Sequence, residues 1–482
     1  MKLVGMPSRD VLLGLILAVA MVSGIVYGLA AGDARVASTV PAGGEADFLE
    51  RSSFCPPMAV KNDEEAHAYV AFSSTSNEPT KVGLEPQVAA RATLRPGRLA
   101  TRGLDPSQTG GGLDVVGFGS RVPAAAIFQI TKPVDGLLSS SCPSHTSAHW
   151  YISGGTSALK TDEKILLYNP FSNDAAVRVT FYTPAGEQVS ANLSNVGVGA
   201  GSTRVIPVNK FAKPRNTLGA VIRVVRGRVV AWASVAYRKH DGRDPGHTLR
   251  PGVTSPGTAW YLPDAAIDDG VEQHVTVLNP TEREASINVS LTTGSGPLPV
   301  AKLATVPVGP RSTRELDLGQ YLAKHRADPG RVSVTVRSAN DVPVVVEGTT
   351  FYSTPGIQGV ASVPAVQRPA RRLVLEPPAL APTMDGIVVM NPDASPARVD
   401  VTLERVGGTS FSPKKLRNLR VPSGLRLRIP LSSFTQGKPM AAMVESSVPV
   451  VAGRTAYGRK AGDVASLEAV PLLPLPGPSA GR

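Results

Sequence analysis

The chain has 482 residues, 42% hydrophobic and 18% charged, with a formal net charge of +12. That length corresponds to three or four domains, and that balance excludes an intrinsically disordered chain. Glycine (47) and proline (43) are abundant while aromatics are only 5%, which suits short strands joined by turns and excludes a mainly helical protein.

Lys2 and Arg9 precede an uncharged run at 11–31. At ~1.5 Å per residue this run of about 21 residues spans roughly 31 Å, matching a hydrocarbon core of ~30 Å. The predicted arrangement is a cytoplasmic tail (1–10), a transmembrane signal anchor (11–31) and an extracytoplasmic remainder, as the positive-inside rule requires. Secretion after cleavage near Gly32 is the alternative. Export removes nucleic acid as a partner for the positive charge and leaves the membrane surface or an acidic polymer. Residues 32–53, rich in Ala, Gly and acidic side chains, read as a tether.

The remainder is organised by a strand ending in Asn-Pro. Lys-Ile-Leu-Leu-Tyr-Asn-Pro at 164–170 recurs as His-Val-Thr-Val-Leu-Asn-Pro at 274–280 and as Asp-Gly-Ile-Val-Val-Met-Asn-Pro at 385–392. Asn169, Asn279 and Asn391 therefore mark a unit repeated about every 110 residues, large enough to hold its own core. The proline removes a ladder donor and ends the strand, and the Asn side chain caps the turn that follows. Trp150 and Trp260 open the second and third units. Phe54 and Leu373 are read as their counterparts, which puts Ser73 at the landmark position of the first unit.

Alternating strands follow each landmark, as in Val177, Val179 and Phe181 or Val399, Val401 and Leu403. Turns come next, and then a helical turn carrying Val208 and Phe211, Leu318 and Tyr321, or Leu431 and Phe434 on one face. Each unit is predicted to close with a hairpin, 220–225 with 229–234 in the second, and a weak last strand. Six or seven short strands per repeat predict an all-β protein of four tandem immunoglobulin-like β-sandwiches. Their expected bounds are 54–148, 149–257, 258–368 and 369–470, strung as a rod, before a proline-rich disordered tail at 471–482. Cys55 and Cys142 lie near the two ends of the first unit, and an oxidising compartment lets them pair. Closing a loop of about 88 residues stabilises by roughly 4–5 kcal/mol on chain-entropy grounds.

Catalytic motifs are not evident. The Ser157–Lys160 spacing matches Ser-x-x-Lys but precedes a strand and lacks companion motifs. Asp264, Asp268 and Asp269 would suit calcium, yet the other units lack them, so a solvated loop is expected. No cofactor and no metal site is expected. The cations gather at Arg223, Arg226 and Arg228 and at Lys414, Lys415, Arg417, Arg420, Arg426 and Arg428. Arg426 and Arg428 alternate with apolar residues along one strand face, so these groups are the candidate contacts for an anionic partner.

The uncharged run, the Cys-Pro pairs Cys55-Pro56 and Cys142-Pro143, and the repeated Trp-Tyr and Asn-Pro landmarks resemble an uncharacterised family of actinobacterial membrane-anchored cell-envelope proteins. That resemblance implies an envelope location and supplies no enzymatic activity or site residues. The sequence thus predicts a non-enzymatic extracytoplasmic binding or scaffold protein that contacts anionic wall polymer or glycan. A scaffold for an envelope glycosyltransferase or other biogenesis protein is the alternative, and a hydrolase a remote one.

Overall fold

The computed structural model describes residues 52–471, apart from 58–65, 77, 86–90, 97, 105–111, 119–121, 131–135, 240–242, 323–329, 380, 407, 409 and 459–463. The expected anchor at 11–31 lies outside them, as does all of the expected tether except its last two residues. Among the described residues no helix is long and apolar enough to cross a membrane. They form an all-β structure of antiparallel sheets, with two short α-helices, Leu318–Leu322 and Ser432–Thr435.

Each of the first three of four successive stretches contributes two sheets with one strand order, and the strands of the fourth join in one eight-stranded sheet. In the second stretch, one sheet orders Gly186–Val189, Ala175–Thr183, Leu218–Arg226 and His149–Gly155; the other orders Thr203–Pro207, Thr161–Tyr168, Val230–Tyr237 and Gly246–Pro251. Period-two patterning explains the burial: Val177, Val179 and Phe181 are buried while Arg178 between them is exposed. The third stretch shows the resulting core, with Trp260, Val275, Val277, Ile287, Val289, Val334 and Val346 in one cluster. Val208, Leu318 and Leu431 are fully buried at the expected helical turns.

Leu218–Arg226 and Val230–Tyr237 do not form the expected hairpin, because they lie in different sheets. The chain crosses between layers there, turning at Gly227 with φ +73°. In the fourth stretch a single long strand, Met440–Tyr457, joins the strands of both layers in that one sheet. The first unit begins before residue 54, with strand Ser52–Cys55. The Trp counterpart there is Ser53: its Oγ donates to Val122 O at 2.8 Å, as Trp150 Nε1 donates to Val229 O at 3.0 Å and Trp260 Nε1 to Val344 O at 2.8 Å. The landmark counterpart is then Ser74, whose N–H donates to Arg98 O as that of Asn169 donates to Ser202 O. At the other end, Val470–Pro471 pairs with Leu373 and Val374, so the tail starts later than expected.

The four stretches do not form a rod. The last strand of each, Gly136–Ser141, Gly246–Pro251, Ile357–Pro364 and Val464–Glu468, packs against that of the next, and the fourth packs back against the first. The result is a closed ring. The cause is the residue just before each landmark, which points away from its own core: Tyr168, Leu278 and Met390 are all buried, whereas a rod would leave them in water. Tyr168 lies over Gly112 of the first unit, where an added Cβ would come within 2.8 Å of its ring. Leu278 and Thr313 lie over Gly219 of the second in the same way. Met390 clusters with Tyr261 of the third. At the closing junction Ala441 joins Ala71, Leu99, Ile127 and Leu137, and Leu99 forms a parallel bridge to Val406.

Candidate functional site

The landmark asparagines are fully buried. Asn279 Nδ2 donates to Arg283 O at 2.7 Å, Gly309 O at 2.9 Å and Val308 O at 3.1 Å, while its Oδ1 accepts from Thr281 N–H at 3.0 Å. Asn169 and Asn391 make the equivalent bonds. Each ties the turn after its strand to a loop about 30 residues on and is enclosed by the fold rather than presented to a ligand. Trp150 and Trp260 are likewise buried and hydrogen-bonded. Cys55 and Cys142 form a disulfide with Cα atoms 4.5 Å apart, joining the first strand of the unit to the residue after its last.

The expected basic stripe is divided. Arg428 is exposed, but Arg426 is buried at the junction with the third unit, where its Nη2 lies 3.3 Å from Asp264 Oδ1. Burial lowers its pKa, against the attraction of Asp264. Asp264 also pairs with Arg331 at 3.6 Å and accepts from Thr455 Oγ1 at 2.9 Å. It is thus withdrawn from the exposed turn of Asp268 and Asp269, and the three do not form a calcium set. Lys414, Lys415, Arg417 and Arg420 remain exposed on and beside a 3-10 turn, Lys414–Leu416, anchored by buried Leu416. Arg420 pairs in register with Arg398, which extends this basic edge. Arg223, Arg226 and Arg228 are exposed on the second unit, which does not neighbour the fourth in the ring. Ser157 is buried, donates to Lys213 O at 2.6 Å and accepts from Arg215 N–H, so its hydroxyl serves the fold.

Sequence reasoning missed a concentration of chemistry between the second and third units. Arg250 is fully buried on the last strand of the second, where Glu163 from its own sheet and Glu347 from the third unit flank it. It donates to Gly154 O at 2.7 Å, and Glu347 Oε2 accepts Gly154 N–H at 3.1 Å. Burial pushes Glu163 up to about 7, against the pull of Arg250.

Beside this group opens a cleft of about 620 Å³. His274 and Phe351 form its floor. His274 Nδ1 lies 3.0 Å from Glu315 Oε1, and Arg243 donates to Glu272 at 2.8 Å and lies 3.1 Å from His274 Nε2. Burial opposes a charged His274 ring, but Glu315 outweighs it and raises its pKa. The Arg243 guanidinium lies 4.4 Å from the Phe351 ring centroid, and Tyr237 and His274 meet that ring edge-on. Lys160, Arg215 and Arg238 stand exposed among the other lining residues. Glu272 and His274, two apart on one strand, were the available signal; Glu315 and Arg243 come from elsewhere in the chain.

The chain matches a family of unknown function (DUF5719) over residues 109–246 and 253–473. No curated protein matches it. Among solved structures, Thermotoga maritima 1070 is similar at 18% identity and a TM-score of 0.20, covering 23% of this chain and 95% of that one. A Streptomyces avermitilis alpha-L-rhamnosidase complexed with L-rhamnose is similar at 9% identity and a TM-score of 0.12, over 79% and 54%. Both structural likenesses are too weak to carry an argument, whereas the family match spans most of the chain: this protein belongs to the DUF5719 family of unknown function.

Proposed function

We propose that this is a non-enzymatic extracytoplasmic binding or scaffold protein of the actinobacterial cell envelope. In this reading the N-terminal run at 11–31 anchors it in the membrane, and four immunoglobulin-like sandwiches stand outside. The ring then presents cations from two non-adjacent units to an anionic wall polymer or glycan. The observation that carries the reading is the exposed basic edge of the fourth unit, Lys414, Lys415, Arg417 and Arg420 with Arg398 and Arg428. These side chains remain available to a polyanion without disturbing the fold. The Cys55–Cys142 disulfide supports an oxidising compartment. Arg426 has no part in the surface, because it is committed to Asp264.

The test is retention of the protein on isolated cell-wall polymer across a salt series, beside a variant with Lys414, Lys415, Arg417 and Arg420 changed to Ser. Exposed electrostatics weaken as the Debye length shrinks from about 10 Å at 0.1 M to about 3 Å at 1 M salt. Retention should fall with salt and with the substitutions. Retention indifferent to both would reject the polyanion contact and direct attention to a protein partner.

A further inference from the structure

We propose that the cleft between the second and third units is a binding site for a phosphorylated sugar. Lys160, Arg215 and Arg238 would meet the phosphate, and Asn216, Thr276 and the Arg243–His274–Glu315 floor would meet the hydroxyls.

Charge is the first argument. Among the described residues four cations line the cleft, Lys160, Arg215, Arg238 and Arg243, against one lining carboxylate, Glu315. On the floor, Arg243 is matched by Glu272 at 2.7 Å and His274 by Glu315 at 3.0 Å. The mouth is not balanced in this way: Lys160, Arg215 and Arg238 make no ion pair among the described residues. Their positive potential is therefore left for a ligand, and low-dielectric walls focus it. Lys160 and Arg238 are also tied together, since Arg238 N–H donates to Lys160 O at 3.0 Å. Lys160 adopts φ +65°, a conformation uncommon for a non-glycine residue that fixes where its side chain departs.

Shape and polarity narrow the class. The volume lies within the range of small-molecule sites, about 300–1,000 Å³, and a lone phosphate would fill little of it. The Phe351 ring is already occupied by Arg243, Tyr237 and His274, so a neutral sugar finds no bare aromatic platform. Recognition has to come from charge at the mouth and hydrogen bonds on the floor. Both units contribute, so the site exists only when they are docked, through contacts such as Thr217 Oγ1 donating to Glu315 Oε2 at 3.2 Å. This site does not depend on the outer basic edges.

Calorimetric titration of the full chain in detergent with glucose 1-phosphate, inorganic phosphate and glucose separates the cases. Glucose 1-phosphate should bind, inorganic phosphate at least tenfold more weakly, and glucose not measurably. Arg215→Ala combined with Arg238→Ala should weaken glucose 1-phosphate at least tenfold. Both side chains are exposed, and Lys160→Ala provides a second, independent loss. The Lys414, Lys415, Arg417 and Arg420 variant should bind glucose 1-phosphate unchanged, which keeps this result separate from polymer retention. Absence of glucose 1-phosphate binding at low salt would overturn the proposal. So would binding unaffected by the cleft substitutions, or inorganic phosphate binding as tightly as the sugar phosphate.

Discussion

Glu376 sits at the junction that closes the ring, where Ser73 Oγ of the first unit donates to its Oε1 at 2.5 Å. Burial pushes its pKa up to about 8; Glu404 adds to the rise, while Ser73 and Arg454 oppose it. A carboxyl whose pKa is higher folded than unfolded binds more protons in the folded state, so stability falls as pH rises from the unfolded value toward the folded one. Here that window runs from about 4.5 to about 8. For this group alone the loss between pH 5 and pH 7 is about 2–3 kcal/mol, at roughly 1.4 kcal/mol per pKa unit. Glu376→Gln mimics the neutral acid and keeps an acceptor for Ser73. It should change stability by less than about 1 kcal/mol at pH 5 and stabilise by about 2 kcal/mol or more at pH 7–8. Urea midpoints for both proteins at four pH values, with slopes checked for constancy, give the difference directly. A variant that tracks the native protein at every pH, or that loses stability most at high pH, would refute a neutral buried acid at this junction.

Other substitutions bear on separate parts of the structure. Asn279→Ala takes a donor from three carbonyls, two of which keep another, Thr281 Oγ1 to Arg283 O at 3.1 Å and Ser312 Oγ to Gly309 O at 2.8 Å, and should cost about 1–3 kcal/mol in urea unfolding, the order of one unsatisfied buried group; a loss under about 0.5 kcal/mol would contradict the buried cap. In the fourth unit Arg454 is 1% exposed and holds Asp385 through Nε at 2.9 Å and Nη2 at 2.6 Å. Asp385→Ala should cost about 3–5 kcal/mol by stranding that charge, tempered by the bond from Nη1 to Met440 O at 2.6 Å. Arg426→Ser should destabilise by about 2 kcal/mol or more because Asp264 loses a buried partner, whereas Arg428→Ser should stay within about 0.5 kcal/mol, as exposed substitutions do. Equal effects from these two changes would contradict their different burial.

The repeat was readable because Asn-Pro and the period-two pattern are local signals, and the strands duly form antiparallel sheets. The crossover is hard to tell from a hairpin in the sequence, because two adjacent apolar strands look alike whether they pair with each other or with separate sheets. Only Gly227 and the Trp150 bond to Val229 O mark the crossover. Ring closure was written in Tyr168, Leu278 and Met390, apolar residues that alternate away from the core residues beside them. A single sequence does not say which surface covers such a face. Arg426 and Arg428 illustrate the same limit: two identical residues two apart share a strand face, and the neighbouring unit buries only one. The cleft is not legible in the sequence because its residues, from Lys160 to Glu315, come from distant parts of the chain and meet only through docking of the units.

The most direct test of ring closure is small-angle scattering from 49–482, which forms one compact unit. A closed ring of this size should give a radius of gyration of about 22 Å, as expected for a compact chain. Four sandwiches in a rod, each about 30 Å long from strands rising about 3.4 Å per residue, would give about 35 Å or more. A value near the first supports junctions such as Ser73–Glu376, and a value near the second contradicts them.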